Sequence, residues 1–273
     1  MQFALVVGQK HEASPGLAGH CPGCGQPVVA KCGDQRMWHW AHLRKRKCDR
    51  WWESETPWHR AWKENFAREW REVINCDQNG ERHIADVRTA LGLVLEFQHS
   101  RLDPQERAAR EAFYGNMVWV VDGTRLKRDW PRFYKGTTAF RQTALDVTHR
   151  VPCPEERFPY EWLASSVPVF FDFAGDGSAD EPEPARQLLW CLLPGRVDRY
   201  AVMIAVSRQM FLEGAMRRPQ IIDVTERLNA VALELQLELQ QQRDKEREEA
   251  RRHAQWRSYR NQQILQSHKP RRR

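Results

Sequence analysis

The stretch His83-Ile-Ala-Asp-Val-Arg-Thr-Ala-Leu-Gly-Leu-Val-Leu-Glu-Phe-Gln98 places two acidic residues in otherwise apolar segments. Asp86 ends the first segment, and residues 93–98 have the composition of a buried strand. Glu96 and Gln98 are two residues apart, so they share one face of that strand. A buried carboxylate is costly unless its charge is compensated. The pattern indicates either Mg²⁺ or Mn²⁺ held between Asp86 and Glu96, or a buried acid pair satisfied by protein groups.

Helices and strands are predicted to alternate on both sides of this stretch. In chain order they are a helix at 55–72, strands at 72–76, 82–88 and 93–98, a helix at 103–114 and a strand at 117–121. Asn79-Gly80 is a hairpin turn signal, and Asp103-Pro104 has the residue types that begin a helix. This order predicts a small α/β core of the α+β kind. Beyond residue 150 the pattern is weaker and predicts strands at 167–173 and 188–193 and a helix at 200–216.

The first predicted helix carries two stripes with a four-residue spacing. One stripe is polar and consists of Glu55, His59 and Lys63. The other is aromatic and consists of Trp58, Trp62, Phe66 and Trp70. Such an aromatic stripe is typical of core packing. The polar stripe is compatible with a site, although a salt-bridged helix explains Glu55 and Lys63 equally well.

A pattern typical of zinc ligands lies near the start of the chain. Cys21-Pro-Gly-Cys24 is separated by fourteen residues from His39-Trp-Ala-His42. Tetrahedral Zn²⁺ takes four N or S ligands, and each close pair can supply two, which predicts a structural site at Cys21, Cys24, His39 and His42. Cys32 or Cys48 could replace one of the histidines. Without an export signal, the seven cysteines favour metal binding or free thiols over disulfides.

The positive charge is concentrated in two places. The formal charge is +7, and residues 240–273 alone hold eleven Lys and Arg against four Asp and Glu. Residues 36–71 hold ten basic and five acidic residues, including the run Arg44, Lys45, Arg46 and Lys47. A basic patch beside aromatic residues is typical of nucleic-acid binding, although a solvated surface has the same appearance.

The C-terminal part of the chain is predicted to be a long helix. Residues 224–262 contain no Pro or Gly, and their apolar stripe is confined to the first half. This helix is a candidate surface for a protein partner or for homo-oligomerisation. No apolar run approaches the roughly 18 residues that a membrane helix needs, which predicts a cytoplasmic protein without membrane contact. The predicted regions are 1–50, 51–150, 151–223 and 224–273.

Several of these segments together resemble a known family. Glu55-Thr-Pro-Trp-His-Arg-Ala-Trp-Lys63, Leu95-Glu-Phe-Gln-His-Ser100 and Val118-Trp-Val-Val-Asp122, together with the segment around Asp86, are similar to the nuclease domain of the CoiA competence-protein family. That family resembles the PD-(D/E)xK nuclease superfamily. The leading cysteine and histidine pairs resemble the zinc-ribbon-like module that begins such proteins. The resemblance covers about residues 17–125, and residues 151–223 have no recognised role.

The resemblance implies roles for individual residues. Metal ligands would be Asp86, Glu96 and Glu55, with the backbone carbonyl of Phe97. Gln98 stands where the superfamily usually has Lys, and an amide can orient water but cannot carry charge. Either the metal alone would lower the pKa of the attacking water, or Lys63 or His59 would take the role of the missing Lys beside Gln98. Arg107 and Arg110 would contact phosphate or brace the site, and residues 44–47 would hold the DNA backbone.

The implied activity is hydrolysis of DNA by an enzyme that uses Mg²⁺ or Mn²⁺ for catalysis and Zn²⁺ for structure. The implied setting is DNA processing in competence, recombination or phage defence. Because Gln98 departs from the superfamily pattern, a second expectation is an inactive DNA-binding or scaffold protein with a degenerate nuclease fold. A third is a nuclease subunit that is active only in a larger complex.

Overall fold

A computed structural model describes residues 1–43, 48–51, 53–174 and 184–267 of the chain. The first region forms a sheet of five antiparallel strands in the order β2-β1-β3-β4-β5. Its strands are β1 (Phe3–Val6), β2 (Gln9–Glu12), β3 (Ala18–His20), β4 (Pro27–Lys31) and β5 (His39–His42). A small core of Met1, Ala4, Cys21, Val28 and Trp40 holds this sheet together.

A nine-stranded sheet forms the main body, in the order β10-β11-β14-β13-β12-β9-β8-β7-β6. Strands β8, β9 and β12 are parallel and the other pairs are antiparallel. The strands are β6 (Arg71–Cys76), β7 (Arg82–Arg88), β8 (Val94–Gln98), β9 (Met117–Asp122), β10 (Arg141–Gln142), β11 (Thr148–Val151), β12 (Val169–Asp172), β13 (Leu188–Leu192) and β14 (Ala201–Ser207).

Six α-helices lie in the described part of the chain. They are α1 (Pro57–Glu64), α2 (Pro104–Tyr114), α3 (Asp129–Thr137), α4 (Tyr160–Leu163), α5 (Arg208–Arg217) and α6 (Val224–Ser267). None of the helices within the described residues has both the length and the apolar character needed to cross a bilayer. The mixed α/β class, the Asn79-Gly80 hairpin and the long C-terminal helix are confirmed.

Two predicted helices are shorter than expected. α1 ends at Glu64 because the Asn65 side chain bonds the carbonyls of Ala61 and Trp62, so Trp70 lies in a separate 3₁₀ turn. The predicted helix at 200–216 begins only at residue 208. Residues 201–207 form β14, whose apolar and β-branched side chains are buried on both faces.

The nine-stranded sheet runs across residue 150. Strands β12, β13 and β14 belong to the region whose role the sequence left open, and they extend the sheet that contains β6 to β9. The chain has two compact units, residues 1–225 and residues 226–273. The described part of the second unit is the helix α6. The finer boundaries at 50, 150 and 223 stay predictions.

Candidate functional site

The pairing of β7 with β8 ends where the two predicted acids oppose each other. Val87 pairs with Leu95, so the next opposed pair is Asp86 with Glu96. In this pair the N–H of Asp86 donates to Glu96 Oε1 at 3.3 Å, and the N–H of Phe97 donates to Asp86 Oδ2 at 3.0 Å. Side-chain oxygens therefore replace the backbone ladder, and the strands part around two adjacent carboxylates.

A third acid, Glu72, extends this pair into a row. Because Val73 pairs with Ala85, residue 72 on β6 stands opposite Asp86 on β7. Glu72 has φ 48°, a left-handed conformation that is uncommon for a residue other than glycine. Sequence reasoning missed it, although a signal existed. The hairpin turn at Asn79-Gly80 fixes the register, and that register places residue 72 opposite residue 86.

Glu72 joins the N-terminal sheet to the site. Its carboxylate accepts the backbone N–H groups of Gln2 at 2.6 Å and Phe3 at 3.0 Å. Burial alone would raise its pKa, but the charge of Lys63 and these two N–H groups outweigh that effect and lower the pKa to about 2. Glu72 is therefore an anion that anchors both Lys63 and the start of β1.

Helix α1 supplies His59 and Lys63. Thr56 caps the helix through its side chain, which accepts the His59 N–H. His59 Nε2 lies 2.9 Å from Asp86 Oδ1, although without the alignment of a hydrogen bond. Lys63 Nζ is almost fully buried and lies 3.1 Å from Glu72 Oε1.

Lys63 is an ammonium ion in this environment. Burial lowers its pKa, but Glu72 and Glu55 outweigh burial and raise the pKa above its ordinary value. Glu55 Oε1 lies 2.6 Å from Lys63 Nζ, and Glu55 Oε2 is paired with Arg60. Both oxygens of Glu55 are thus engaged by basic groups on α1. A protonated Lys63 can stabilise negative charge but cannot remove a proton from water.

Asp86 and Glu96 have pKa values that are shifted in opposite directions. Burial and the negative charge of Asp86 raise the pKa of Glu96 to about 8, although Arg110 acts against this. Burial also disfavours the ionised form of Asp86, but His59 and Lys63 outweigh it and hold that pKa below its ordinary value. One ionised and one protonated carboxyl group therefore share the gap near neutral pH. A divalent cation fits this donor set, because it would compensate both charges once Glu96 releases its proton.

The raised pKa of Glu96 predicts a pH-dependent stability. The unfolded chain releases this proton near the ordinary pKa of 4.5, whereas the folded protein keeps it until about 8. Between these values the folded state binds more protons, so ionisation of Glu96 destabilises the fold as pH rises. We expect the unfolding free energy of the wild type, minus that of Glu96→Gln, to fall through this window. Urea unfolding without added Mg²⁺ or Mn²⁺ measures it, and a constant difference would contradict the shift.

Gln98 lines the same cavity, but its amide is engaged by other protein groups. Its Nε2 donates to Glu53 Oε1 at 2.8 Å and to Ser100 Oγ at 3.1 Å, and Ser100 also donates to Glu53. Glu53 was not expected from the sequence. The cavity is lined by Met1, Asp49, Trp51, Glu53, Glu55, His59, Lys63, Glu72, Ile84, Asp86, Glu96, Phe97, Gln98, Arg110 and Tyr114.

The two arginines on α2 are buried. Arg110 Nη1 lies 3.2 Å from Glu96 Oε2, and its Nη2 donates to the carbonyl of Trp51 at 2.8 Å. Arg107 pairs at 2.5 Å with Glu111, which also accepts hydrogen bonds from Trp119 and two serines. These contacts favour bracing over phosphate contact for both arginines. The basic run at 44–47 lies outside the described residues.

A second cluster lies in the N-terminal region. Its four ligand atoms lie within 4.8 Å of one another and belong to Cys21, Cys24, His42 and Cys48. The predicted ligand His39 lies outside this group of ligand atoms, and its Nδ1 lies 2.8 Å from the carbonyl of Met37. His39 and His42 are three residues apart on β5, and an odd spacing on a strand points side chains to opposite faces. Cys48 takes the fourth position.

The spacing of this cluster fits a structural zinc ion. Cys21 Sγ and Cys48 Sγ are 3.6 Å apart, and Cys24 Sγ and His42 Nε2 are 3.3 Å apart. Tetrahedral bonds of about 2.3 Å to sulfur and about 2.0 Å to nitrogen give edges of roughly 3.5 to 3.8 Å. A hydrogen bond from Cys48 lowers the pKa of Cys21 to about 5 and raises the pKa of Cys48, so the two sulfurs share one proton until a metal ion displaces it.

The cluster is joined to the acidic cavity by the residues that follow Cys48. Asp49 Oδ1 lies 2.9 Å from His83 Nδ1 and accepts the N–H of Trp51 at 2.9 Å. The Trp51 ring stacks on His83 with ring centroids 3.2 Å apart. Through Asp49 and Trp51, the position of Cys48 sets one wall of the cavity.

The acidic cavity brings fewer ligand atoms close together than the cysteine and histidine cluster does. Within the described ranges, the group Cys21, Cys24, His42 and Cys48 is the only one that brings three or more His, Cys, Asp or Glu ligand atoms within 4.8 Å of one another. The acidic cavity therefore offers Asp86 and Glu96 as a close pair, while the predicted third ligand Glu55 faces Lys63 and Arg60.

The comparisons with known proteins bear on the first region. Residues 19–50 match the family model described as "Competence protein CoiA, N-terminal domain". This range contains all four residues of the cysteine and histidine cluster. No curated protein and no solved structure matches the chain. The match supports a CoiA-like, competence-related chain over this segment, and it bears on the zinc-type module rather than on the acidic cavity.

Proposed function

We propose that this chain is a nuclease that hydrolyses phosphodiester bonds of DNA with Mg²⁺ or Mn²⁺. The observation that carries the proposal is the opened β7–β8 ladder, where Asp86 and Glu96 meet in a partly open cavity. Two adjacent carboxylates with opposed pKa shifts are a costly arrangement for a fold alone. A divalent cation supplies the compensation that this pair needs.

The order of elements around the cavity supports the same proposal. Helix α1, strands β6, β7 and β8, helix α2 and strand β9 follow one another in the order expected of a PD-(D/E)xK core. The match to the CoiA N-terminal domain is consistent with a role in processing DNA. DNA is accordingly the proposed partner, and the basic run at 44–47 is its proposed backbone contact.

The residues of the cavity would have different catalytic roles. Asp86, Glu96 and the carbonyl of Phe97 would hold the ion, which when bound lowers the pKa of water and stabilises negative charge on phosphate. His59, placed beside Asp86, is the best situated group to orient the water or accept its proton. Lys63 contributes a fixed positive charge, and Gln98 holds Glu53 through a hydrogen bond.

A plasmid-cleavage assay tests the proposal. We expect cutting by the wild type that requires Mg²⁺ or Mn²⁺ and that Asp86→Asn lowers by at least about 100-fold, because this change removes the member of the Asp86–Glu96 pair that is already ionised. Glu64→Gln is the matched control, since Glu64 lies on the surface of α1. Absence of metal-dependent cutting, or full activity of Asp86→Asn, would reject the assignment.

A second candidate is a DNA-binding protein without nuclease activity. It is favoured by Arg110, which already pairs with Glu96, and by Gln98 in place of Lys. This alternative predicts salt-sensitive DNA binding that Glu96→Gln leaves unchanged, with no cutting at any metal concentration.

A nuclease that needs a partner is the third candidate, with α6 as the proposed contact. Size-exclusion chromatography of a chain shortened to residue 225 would then show the loss of an assembly.

A further inference from the structure

Asp172 is a buried carboxylate at the end of β12, outside the segment that resembles a nuclease. One of its oxygens, Oδ2, accepts the indole N–H groups of Trp58 at 3.0 Å and Trp62 at 2.9 Å. The same oxygen accepts from Arg208 at 2.5 Å. The side chain of Asp172 is 1% exposed, so these donors replace water around its carboxyl group.

The two indoles belong to the helix that carries the cavity residues. Trp58 and Trp62 are one helical turn apart on α1, and each immediately precedes a residue of the polar stripe, His59 and Lys63. Successive residues of a helix are about 100° apart around its axis, so fixing one stripe fixes the direction of the other. The two indole bonds hold both the rotation and the axial position of α1.

Further contacts make this anchor rigid. The Trp62 ring stacks on Phe97 of β8 with centroids 5.7 Å apart, and the Arg208 guanidinium lies 4.1 Å from the Trp62 ring centroid. Phe211 of α5 packs edge-on against Trp62. The segment from β12 to α5 therefore contacts α1 along its aromatic stripe. From the sequence alone, this stripe was predicted only to pack in the core.

We propose that Asp172 is a positioning residue that sets the orientation of α1 and thereby places His59 beside Asp86 and Lys63 beside Glu72. The catalytic consequence of this placement rests on the proposed function, but the positions of His59 and Lys63 can be measured without catalysis. It gives residues 151–223 a role, because their strand β12 supplies the acceptor that the helix of the nuclease-like segment requires. A segment ending at residue 150 would lack it.

Nuclear magnetic resonance of the full chain tests the proposal. Asp172→Asn keeps one acceptor oxygen, and Asp172→Leu removes both. We expect the indole N–H resonances of Trp58 and Trp62 to move in both variants. We also expect the nuclear Overhauser contact between the His59 and Phe97 rings, whose centroids are 6.0 Å apart, to weaken in the order wild type, Asn, Leu. Cleavage should fall in the same order, by about 10- to 100-fold for Leu.

The matched control is Glu111→Gln. Glu111 is also a buried carboxylate that accepts an indole N–H, that of Trp119 at 3.1 Å, but it does not hold α1. Its substitution should lower thermal stability while leaving the His59–Phe97 contact intact. The proposal is overturned if Asp172→Asn leaves that contact unchanged, or if Glu111→Gln weakens it equally. If Asp172→Leu does not fold, Asp172→Asn decides alone. A wild type that does not cut DNA would reject the nuclease, whereas the ring contact would still decide the role of Asp172.

Discussion

Glu96→Gln is expected to lower metal-dependent cleavage strongly while leaving the protein as stable as the wild type, or more stable, near neutral pH. Because the pKa of Glu96 is raised to about 8 by burial and by Asp86, this carboxyl group is already protonated in the metal-free protein. A neutral amide of the same shape therefore resembles the resting state. It cannot become the second anionic ligand that a divalent ion requires.

The expected size of the effect follows from what the ligand supplies. Metal catalysis contributes several kcal/mol of transition-state stabilisation, and about 4 kcal/mol corresponds to roughly a 1,000-fold change in rate. We therefore expect the cleavage rate of Glu96→Gln to fall by about that factor and Mn²⁺ binding in the cavity to become undetectable by calorimetry. The melting temperature measured in parallel should not decrease.

A control substitution and two possible outcomes test whether Glu96 acts as a metal ligand. Glu64→Gln changes an exposed acid on α1 in the same way, and it should leave the cleavage rate, Mn²⁺ binding and melting temperature unchanged. If Glu96→Gln cuts DNA like the wild type, Glu96 is not a metal ligand. If Glu96→Gln loses activity and its free energy of unfolding also falls by several kcal/mol, the Asp86–Glu96 pair is a structural element. A protein group, rather than a metal ion, would then compensate the charge of the pair.

The sequence predicted the elements around the site well, because each has a local signal. The Asn79-Gly80 turn, the Asp103-Pro104 helix start and the acid within an apolar strand all depend on neighbouring residues. These signals were sufficient to place Asp86 and Glu96 on adjacent strands.

The remaining features depend on contacts between distant segments. Glu72 enters the site through strand register and an unusual backbone angle, and Asp172 enters through a strand more than a hundred residues away from α1. Burial of Arg107 and Arg110 could not be read from a helix with mixed charges. The place of His39 also depends on the structure, because only the strand β5 shows that His39 and His42 point to opposite faces.

Cys48→Ser is expected to release the zinc ion that the N-terminal cluster would hold and to destabilise the protein more than any other single substitution proposed. Structural zinc sites contribute folding free energy directly, and loss of a metal is among the few changes that cost more than about 4 kcal/mol. A change of that size lowers the melting temperature of a domain this large by roughly 8 °C or more. Zinc content by mass spectrometry and thermal unfolding by circular dichroism measure both effects.

His39→Ala is the matched control, because the sequence pattern favours His39 as a ligand and the structure favours Cys48. We expect His39→Ala to retain its zinc and to change stability by no more than about 0.5 kcal/mol. Loss of zinc in His39→Ala with retention in Cys48→Ser would reverse the ligand assignment.

The same substitution also tests whether the zinc module and the acidic cavity are coupled. Release of Cys48 would free Asp49 from His83 and move Trp51, whose carbonyl holds Arg110 beside Glu96. Cleavage by Cys48→Ser should therefore fall even at a temperature where circular dichroism shows the main sheet to be folded. If cleavage survives there, the module binds zinc independently of the cavity, and its contribution is limited to contacts made outside the site.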